Sequence, residues 1–239
     1  MSTHESLVPA VDHEHPDVTG GWLRPAVFGA MDGLVSNLAL VAGVAGGSEG
    51  DPHLVVLAGF AGLAAGAFSM AAGEYTSVAS QSEAAAREIE KERREILRNP
   101  EREMHELAHV YVEKGIDDDL AHEVARQIHR DVDNAVVVHA REELGVHPEE
   151  LASPMLAAVS SFASFAVGAF LPVLPYLLGA VSLVPGVVVT LLALFLCGAV
   201  VTQVTNRSWW YGGLRQMLLG GAAAALTYVI GTAVGAHLG

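Results

Sequence analysis

Five stretches of this chain stay apolar for about 20 residues, the length a helix needs to cross a hydrocarbon core. They run roughly Ala26–Gly47, Leu54–Ala72, Met155–Leu178, Val181–Val204 and Leu214–Leu238. In lipid only helices and closed barrels satisfy every backbone group. None of the five alternates with a period of two, so each is read as a helix. Hydrophobic residues are 51% of the 239, far from an ordinary soluble composition. The expected fold class is an all-α membrane protein with five transmembrane helices.

One segment obeys another solvent. Gln81–Glu150 holds 29 of the 40 charged residues, 19 acidic and 10 basic. The expected organisation is a polar tail at 1–24, spans one and two within 25–80, an acidic helical insert at 81–150 and spans three to five within 151–239. Orientation follows from the basic residues, which collect on the cytoplasmic side. Arg24, the ten in the insert, Arg207 and Arg215 all fall on one side if the N-terminus is cytoplasmic. The insert is then cytoplasmic and the C-terminus lies on the far side. The tail has no basic stretch before an apolar core, so no cleavable signal peptide is expected. A net charge of −14 argues against a nucleic-acid partner. Cys197 is the one cysteine, so no internal disulfide forms.

The insert reads as a small helical bundle. Its first helix continues from span two, because no breaker follows Gly73 before Asn99-Pro100. Asn99 is placed as the N-cap of the next helix with Pro100 at the first turn. Met104, Leu107 and Tyr111 form an apolar stripe, and Gly115 closes that helix. Asp117-Asp118-Asp119 caps a third helix with Leu120, Val124 and Ile128 on its apolar side. A break is expected near Asp133-Asn134, and Gly145 with Pro148 ends the last piece. In the membrane, Pro172 and Pro175 are expected to kink span three. Gly29/Gly33, Gly62/Gly66 and Gly231/Gly235 allow close helix approach, either inside the bundle or along a dimer seam.

Acidic residues inside spans mark ion or proton pathways. Asp32 sits about 10 Å along span one, counted from Pro25 at 1.5 Å per residue. Met70 lies about 24 Å along span two from Leu54, which brings it to the same half of the bilayer, with Glu74 one turn further. Two carboxylates and a thioether make a mixed hard and soft site suited to Fe(II) or Mn(II). Packing alone would account for Met70, and an interfacial position for Glu74. In the insert, Glu92/Glu95 and Glu103/Glu106 are i, i+3 pairs, each on one helix face. Folding at Asn99-Pro100 would bring the four carboxylates together as a site for Fe(II), Mn(II) or Zn(II). Solvated faces paired with Arg93, Arg94 and Arg102 are the plainer reading. Glu106-x-x-His109 is a single Glu-x-x-His step, where a di-iron bundle needs two on separate helices. His105 and His109 are read as surface residues.

Asp32-Gly33-Leu34-Val35-Ser36-Asn37, Ser69-Met70-Ala71-Ala72-Gly73-Glu74-Tyr75 and the two Glu-x-x-Glu steps, in this order, resemble the vacuolar iron transporter family from Trp22 onward. The resemblance implies a homodimer in the bilayer that exports Fe(II), and often Mn(II), from the cytosol against protons. It implies Asp32 and Met70 on the path with Glu74 nearby. It also implies a cytoplasmic metal cluster of Glu92, Glu95, Glu103 and Glu106. A third contribution comes from the last insert helix, where Glu142 and Glu143 are candidates and His139 is a further one. No prosthetic group and no catalytic residues are implied. Eukaryotic members carry acids at the cytoplasmic start of span one, where this chain has Leu23-Arg24-Pro25-Ala26. With its short length, this looks more like a bacterial member in a cell membrane. The competing readings are a membrane-anchored di-iron ferroxidase and a metal sensor.

Overall fold

A computed structural model describes residues 21–205 and 207–238. They are helical, with no strand among the described residues. The order is α1 Leu23–Gly47, α2 Pro52–Arg98, α3 Pro100–Glu113, α4 Asp118–Ile128, α5 Val132–Glu142, a 3-10 turn at Pro148–Glu150, α6 Pro154–Phe170, a single turn α7 Leu174–Leu177, α8 Val184–Thr205 and α9 Trp209–Leu238. Five of these are long and apolar enough to span a bilayer. The outward sides of α2, α8 and α9 carry exposed Leu57, Phe60, Phe68, Leu192, Leu196, Leu218, Val229 and Ile230, as lipid-facing surfaces do.

α2 is a single helix of 47 residues, about 70 Å long. Asp51 starts it by accepting from His53 N at 2.8 Å, with Pro52 in the first turn. No residue between the membrane part and Arg98 interrupts its ladder, so the insert's first helix is a direct extension of the span. Exposed Trp22, Trp209, Trp210 and Tyr211 lie at the starts of α1 and α9, and exposed Tyr75 lies midway along α2, where its apolar part gives way to its charged part; alternation of the spans brings all five to one side. Aromatic side chains gather at such interfaces, which puts Glu92 about 25 Å beyond the membrane surface.

The glycine pairs serve packing inside the chain. A Cβ at Gly33 would strike the Phe165 carbonyl of α6, and one at Gly231 would strike the Gly43 carbonyl of α1. Gly62 and Gly66 lie under Leu40, Asn37 and Phe165. α1 is thus enclosed by α2, α6, α8 and α9, with Leu38, Val41 and Ala42 fully buried.

Three local expectations change, and the Asn99 cap holds through its backbone in place of its side chain. Pro172 and Pro175 end span three rather than kink it: α6 stops at Phe170 and the chain restarts as the short α7. Asn99 caps α3 through its backbone carbonyl, which accepts from Arg102 and Glu103 N at 3.0 and 3.1 Å, with no side-chain cap bond. The break before α5 falls earlier, at His129–Asp131, because the Asp131 side chain accepts from Asp133 N at 2.9 Å and starts the helix there. The buried face of α4 is Ala121, Ala125 and Ile128, packed on Leu107 and Ala108, while Leu120 is exposed. Small alanines let α3 and α4 approach more closely than leucine would.

Gly231→Ala should destabilise the detergent-solubilised protein by about 1–3 kcal/mol, the usual cost of forcing atoms into a filled site. Gly221→Ala should be neutral or stabilising, since its Cβ meets only Leu191 Cδ2 at 3.7 Å. Thermal unfolding of both variants checks the difference.

Candidate functional site

The insert brings α2, α3 and α5 together around a buried polar cluster. Ile96 of α2 packs with Ala135 and Val136 of α5, and Arg93 bonds Asp133 at 2.6 Å across the same pair. This seats His139, with no exposed surface, against Glu92 of α2. His139 Nδ1 lies 3.0 Å from Glu92 Oε1 and 2.9 Å from Glu143 Oε1. The three atoms are buried and none makes an aligned hydrogen bond. Among the described residues these three form a group whose ligand atoms all lie within 4.8 Å of one another. Two carboxylate oxygens and an imidazole nitrogen aimed at one point are a donor set for Fe(II), Mn(II) or Zn(II).

A second histidine sets the sense of the first. His129 Nδ1 lies 2.9 Å from Ala125 O, and only an N–H can serve there. With His129 neutral, its Nε2 accepts, so His139 donates through Nε2 across 3.3 Å. Nδ1 of His139 is then left to carry either a proton or a metal between the two carboxylates. The electrostatics agree. Burial, and then the neighbouring His139, keep His129 below its ordinary value against the Ala125 bond. Burial also opposes charge on His139, but Glu143, Glu92 and Glu103 outweigh it and raise the pKa. Burial, and then Glu143, push Glu92 up. Burial, then Glu106 and Glu95, push Glu103 up.

The candidate residues therefore separate. Glu92, Glu103 and Glu143 gather about His139, and Glu95 and Glu106 lie near enough to act on Glu92 or Glu103. Glu142 turns away to an ion pair with Lys114. The helix register of α5 decides this: Glu143, four residues after His139, shares its face. His105 and His109 lie on the exposed surface, His105 against His122 at 3.1 Å and His109 against Glu113 at 3.4 Å. His129 is the residue that sequence reading missed. It stands across the Asp131 break from His139, so no helical spacing connects them.

Within the spans, α1, α2 and α6 border a half-open cavity of about 220 Å³ lined by residues that include Asp32, Ser36, Asn37, Ser69, Met70 and Phe165. Asp32 Oδ1 accepts from Ser36 Oγ at 2.5 Å. Met70 also packs on Ala67 and Phe165, so it serves the core as well as the cavity. Glu74, half-buried one turn along α2, is not among the lining residues. Asn37 is a further polar group here that spacing did not single out, although it belongs to the Asp32 motif.

A five-span helical membrane protein with a carboxylate and a thioether in a bilayer cavity, and a buried Glu-His-Glu group outside it, is the class these observations define. Residues 23–232 match the model of the VIT family. The chain belongs to that family. It is 40% identical over 236 residues to "Vacuolar iron transporter" of Acanthamoeba castellanii, covering 94% of this chain and 84% of that one. It is 28% identical to "Vacuolar iron transporter 1" of Oryza sativa subsp. japonica over 93% and 90% of the two chains. It is 29% identical to "Vacuolar iron transporter 1" of Arabidopsis thaliana over 94% and 91%.

Protons and cations compete for the same atoms, so Mn(II) affinity should fall with acidification. His139, raised by Glu143, Glu92 and Glu103 against the effect of burial, and Glu92 and Glu103, raised chiefly by burial, each take up protons at higher pH than they would when free. Calorimetry on the whole protein between about pH 8 and pH 5 should show this decline, and constant affinity would contradict it. Glu143→Ala should weaken Mn(II) binding by at least about tenfold and Glu142→Ala should leave it unchanged. His129→Leu should cost about 10–100-fold through loss of the supporting acceptor, and His129→Gln should recover part of it. Circular dichroism on each variant controls for helix content.

Proposed function

We propose that this protein moves divalent cations, Fe(II) or Mn(II), out of the cytosol across a membrane in exchange for protons. The observation that carries this reading is the cavity within the spans, where Asp32 and Met70 face one space. A carboxylate on a membrane-spanning helix, even half-buried as Asp32 is, is costly without a cation or proton to meet it. The relatives' names, vacuolar iron transporter, support iron as cargo.

On this reading residues 81–150 are a cytoplasmic collecting domain. Glu92, Glu103, Glu143 and His139 take up cations, with Zn(II) as an additional occupant, and Glu95 and Glu106 add negative charge that draws cations in. Asp32 and Met70 hold the ion in the membrane, and Glu74 lies on the approach from the cytosol. A proton and a cation exclude each other at Asp32, which is the simplest basis for exchange. All 13 basic residues on one side support a cytoplasmic N-terminus. The protein works as a homodimer whose seam uses faces other than the three glycine pairs. Leu23-Arg24-Pro25-Ala26, in place of acids at the start of α1, supports a bacterial cell membrane as the setting, although the named relatives are an amoeba and plants. The ferroxidase reading is weaker, since Glu106 and His109 face solvent rather than the Glu92–His139 group.

Proteoliposomes with a trapped pH-sensitive dye and an imposed Fe(II) or Mn(II) gradient test this. Metal entry should drive proton release, and acidifying the far side should accelerate it. Asp32→Asn should reduce flux more than about tenfold with the protein still folded, and Glu74→Gln should slow the coupled release. Flux without any dye response would mean uniport, and wild-type flux in Asp32→Asn would remove the pathway assignment.

A further inference from the structure

We propose that Asn37 is a ligand of the cation in the membrane cavity, supplying through Oδ1 a neutral hard oxygen beside the Asp32 carboxylate and the Met70 thioether. The inference rests on the transport reading above and adds to it a residue that determines metal preference.

Asn37 is 2% exposed and lies in the middle of α1. Its Nδ2 donates to Gly59 O of α2 at 3.1 Å and to Ala169 O of α6 at 2.5 Å. Those two bonds fix which way the amide points. Turning it over would set Oδ1 against two carbonyl oxygens, none of which can donate. Oδ1 is therefore held in one direction, and it has no hydrogen-bond partner in the protein. A buried carbonyl without a partner is costly.

The direction is toward α2 at Gly62. A Cβ on Gly62 would stand 2.7 Å from Oδ1, and both residues line the cavity with Asp32, Ser69 and Met70. With glycine there, no side chain stands against this buried oxygen. Both amide hydrogens of Asn37 are committed to holding helices together, and the remaining oxygen is left unpartnered on a residue that lines the pocket with Asp32 and Met70.

The chemistry suits a transported ion. Amide and carboxylate oxygens favour Mn(II) and Fe(II), while a thioether favours softer ions. A neutral second oxygen replaces part of the hydration shell without adding a second negative charge. Retention thus stays weak enough for release, a requirement of any conducting site.

The test is uptake of Mn(II) and Cd(II) into proteoliposomes by the whole protein, with Asn37→Leu, Gly62→Ala and Asp32→Asn compared. Gly62→Ala crowds Oδ1 while leaving both bonds donated by Nδ2 in place. Its other near neighbour, Leu40, is exposed and can turn aside. Asn37→Leu and Gly62→Ala should each lower Mn(II) uptake more than Cd(II) uptake, moving the ratio about tenfold toward Cd(II), because the remaining thioether prefers the softer ion. If Asn37→Leu does not fold, as judged by size exclusion in detergent, Gly62→Ala decides. Equal loss for both ions, or no loss, would make Asn37 a strut between helices and overturn the proposal. Asp32→Asn separates the two levels. Flux that survives Asp32→Asn removes the transport reading and this inference together. Asp32-dependent flux with an unchanged Mn(II) to Cd(II) ratio in Gly62→Ala removes the Asn37 assignment alone.

Discussion

The membrane half depends on how narrow α1 can be. Gly29 and Gly33 meet the backbone of α6, and Gly43 and Gly47 meet the backbone of α9 at Gly231 and Gly235. In lipid there is little hydrophobic gain from joining helices, so close backbone approach and its dispersion contacts carry much of the association. The same closeness creates the cavity. Asp32 and Asn37 stand on a helix that α2 and α6 approach tightly above and below, and the space left between them is about 220 Å³.

In the insert apolar packing seats the helices, and electrostatics govern the group held between them. Glu92 and Glu143 meet His139 in a place that water scarcely reaches, and two carboxylates so close would repel without a positive charge between them. A proton on His139 supplies that charge, and a divalent cation at the same point would supply it more fully. The relay in which His139 Nε2 donates to His129, and His129 Nδ1 donates to the Ala125 carbonyl, matters because it leaves Nδ1, and not Nε2, facing the carboxylates.

Much of this was legible in the chain because lipid leaves few choices. Five apolar runs of spanning length leave few alternatives to a helical bundle, and the charged insert was visible as a change of solvent. Within the site, the Glu-x-x-Glu steps on α2 and α3 could be read because i, i+3 geometry is local. The choice between Glu142 and Glu143 could not, since it depends on where α5 starts, and that is set by the Asp131 cap rather than by any periodicity. His129 was hidden for the same reason. The prolines after Phe170 were read as a kink because a helix in lipid was expected to continue. The structure instead ends the helix and lets turns at Leu171–Val173 satisfy the backbone through bonds such as Val173 N to Phe170 O at 3.2 Å.

The unbroken course of α2 has a further geometric result. Met70 and Glu92 are separated by about 33 Å along the axis and only about 40° around it, because 22 residues are close to a whole number of turns. Glu74, Ser77, Gln81 and Glu88 fall within the same sector, and Gln81 Nε2 already bonds Ser77 Oγ at 3.1 Å. One side of a single rod thus carries a nearly straight file of oxygen-bearing side chains between the acidic group in water and the thioether in lipid. Since a straight helix resists twisting, the angular alignment of the two ends cannot be altered without breaking the backbone ladder between them.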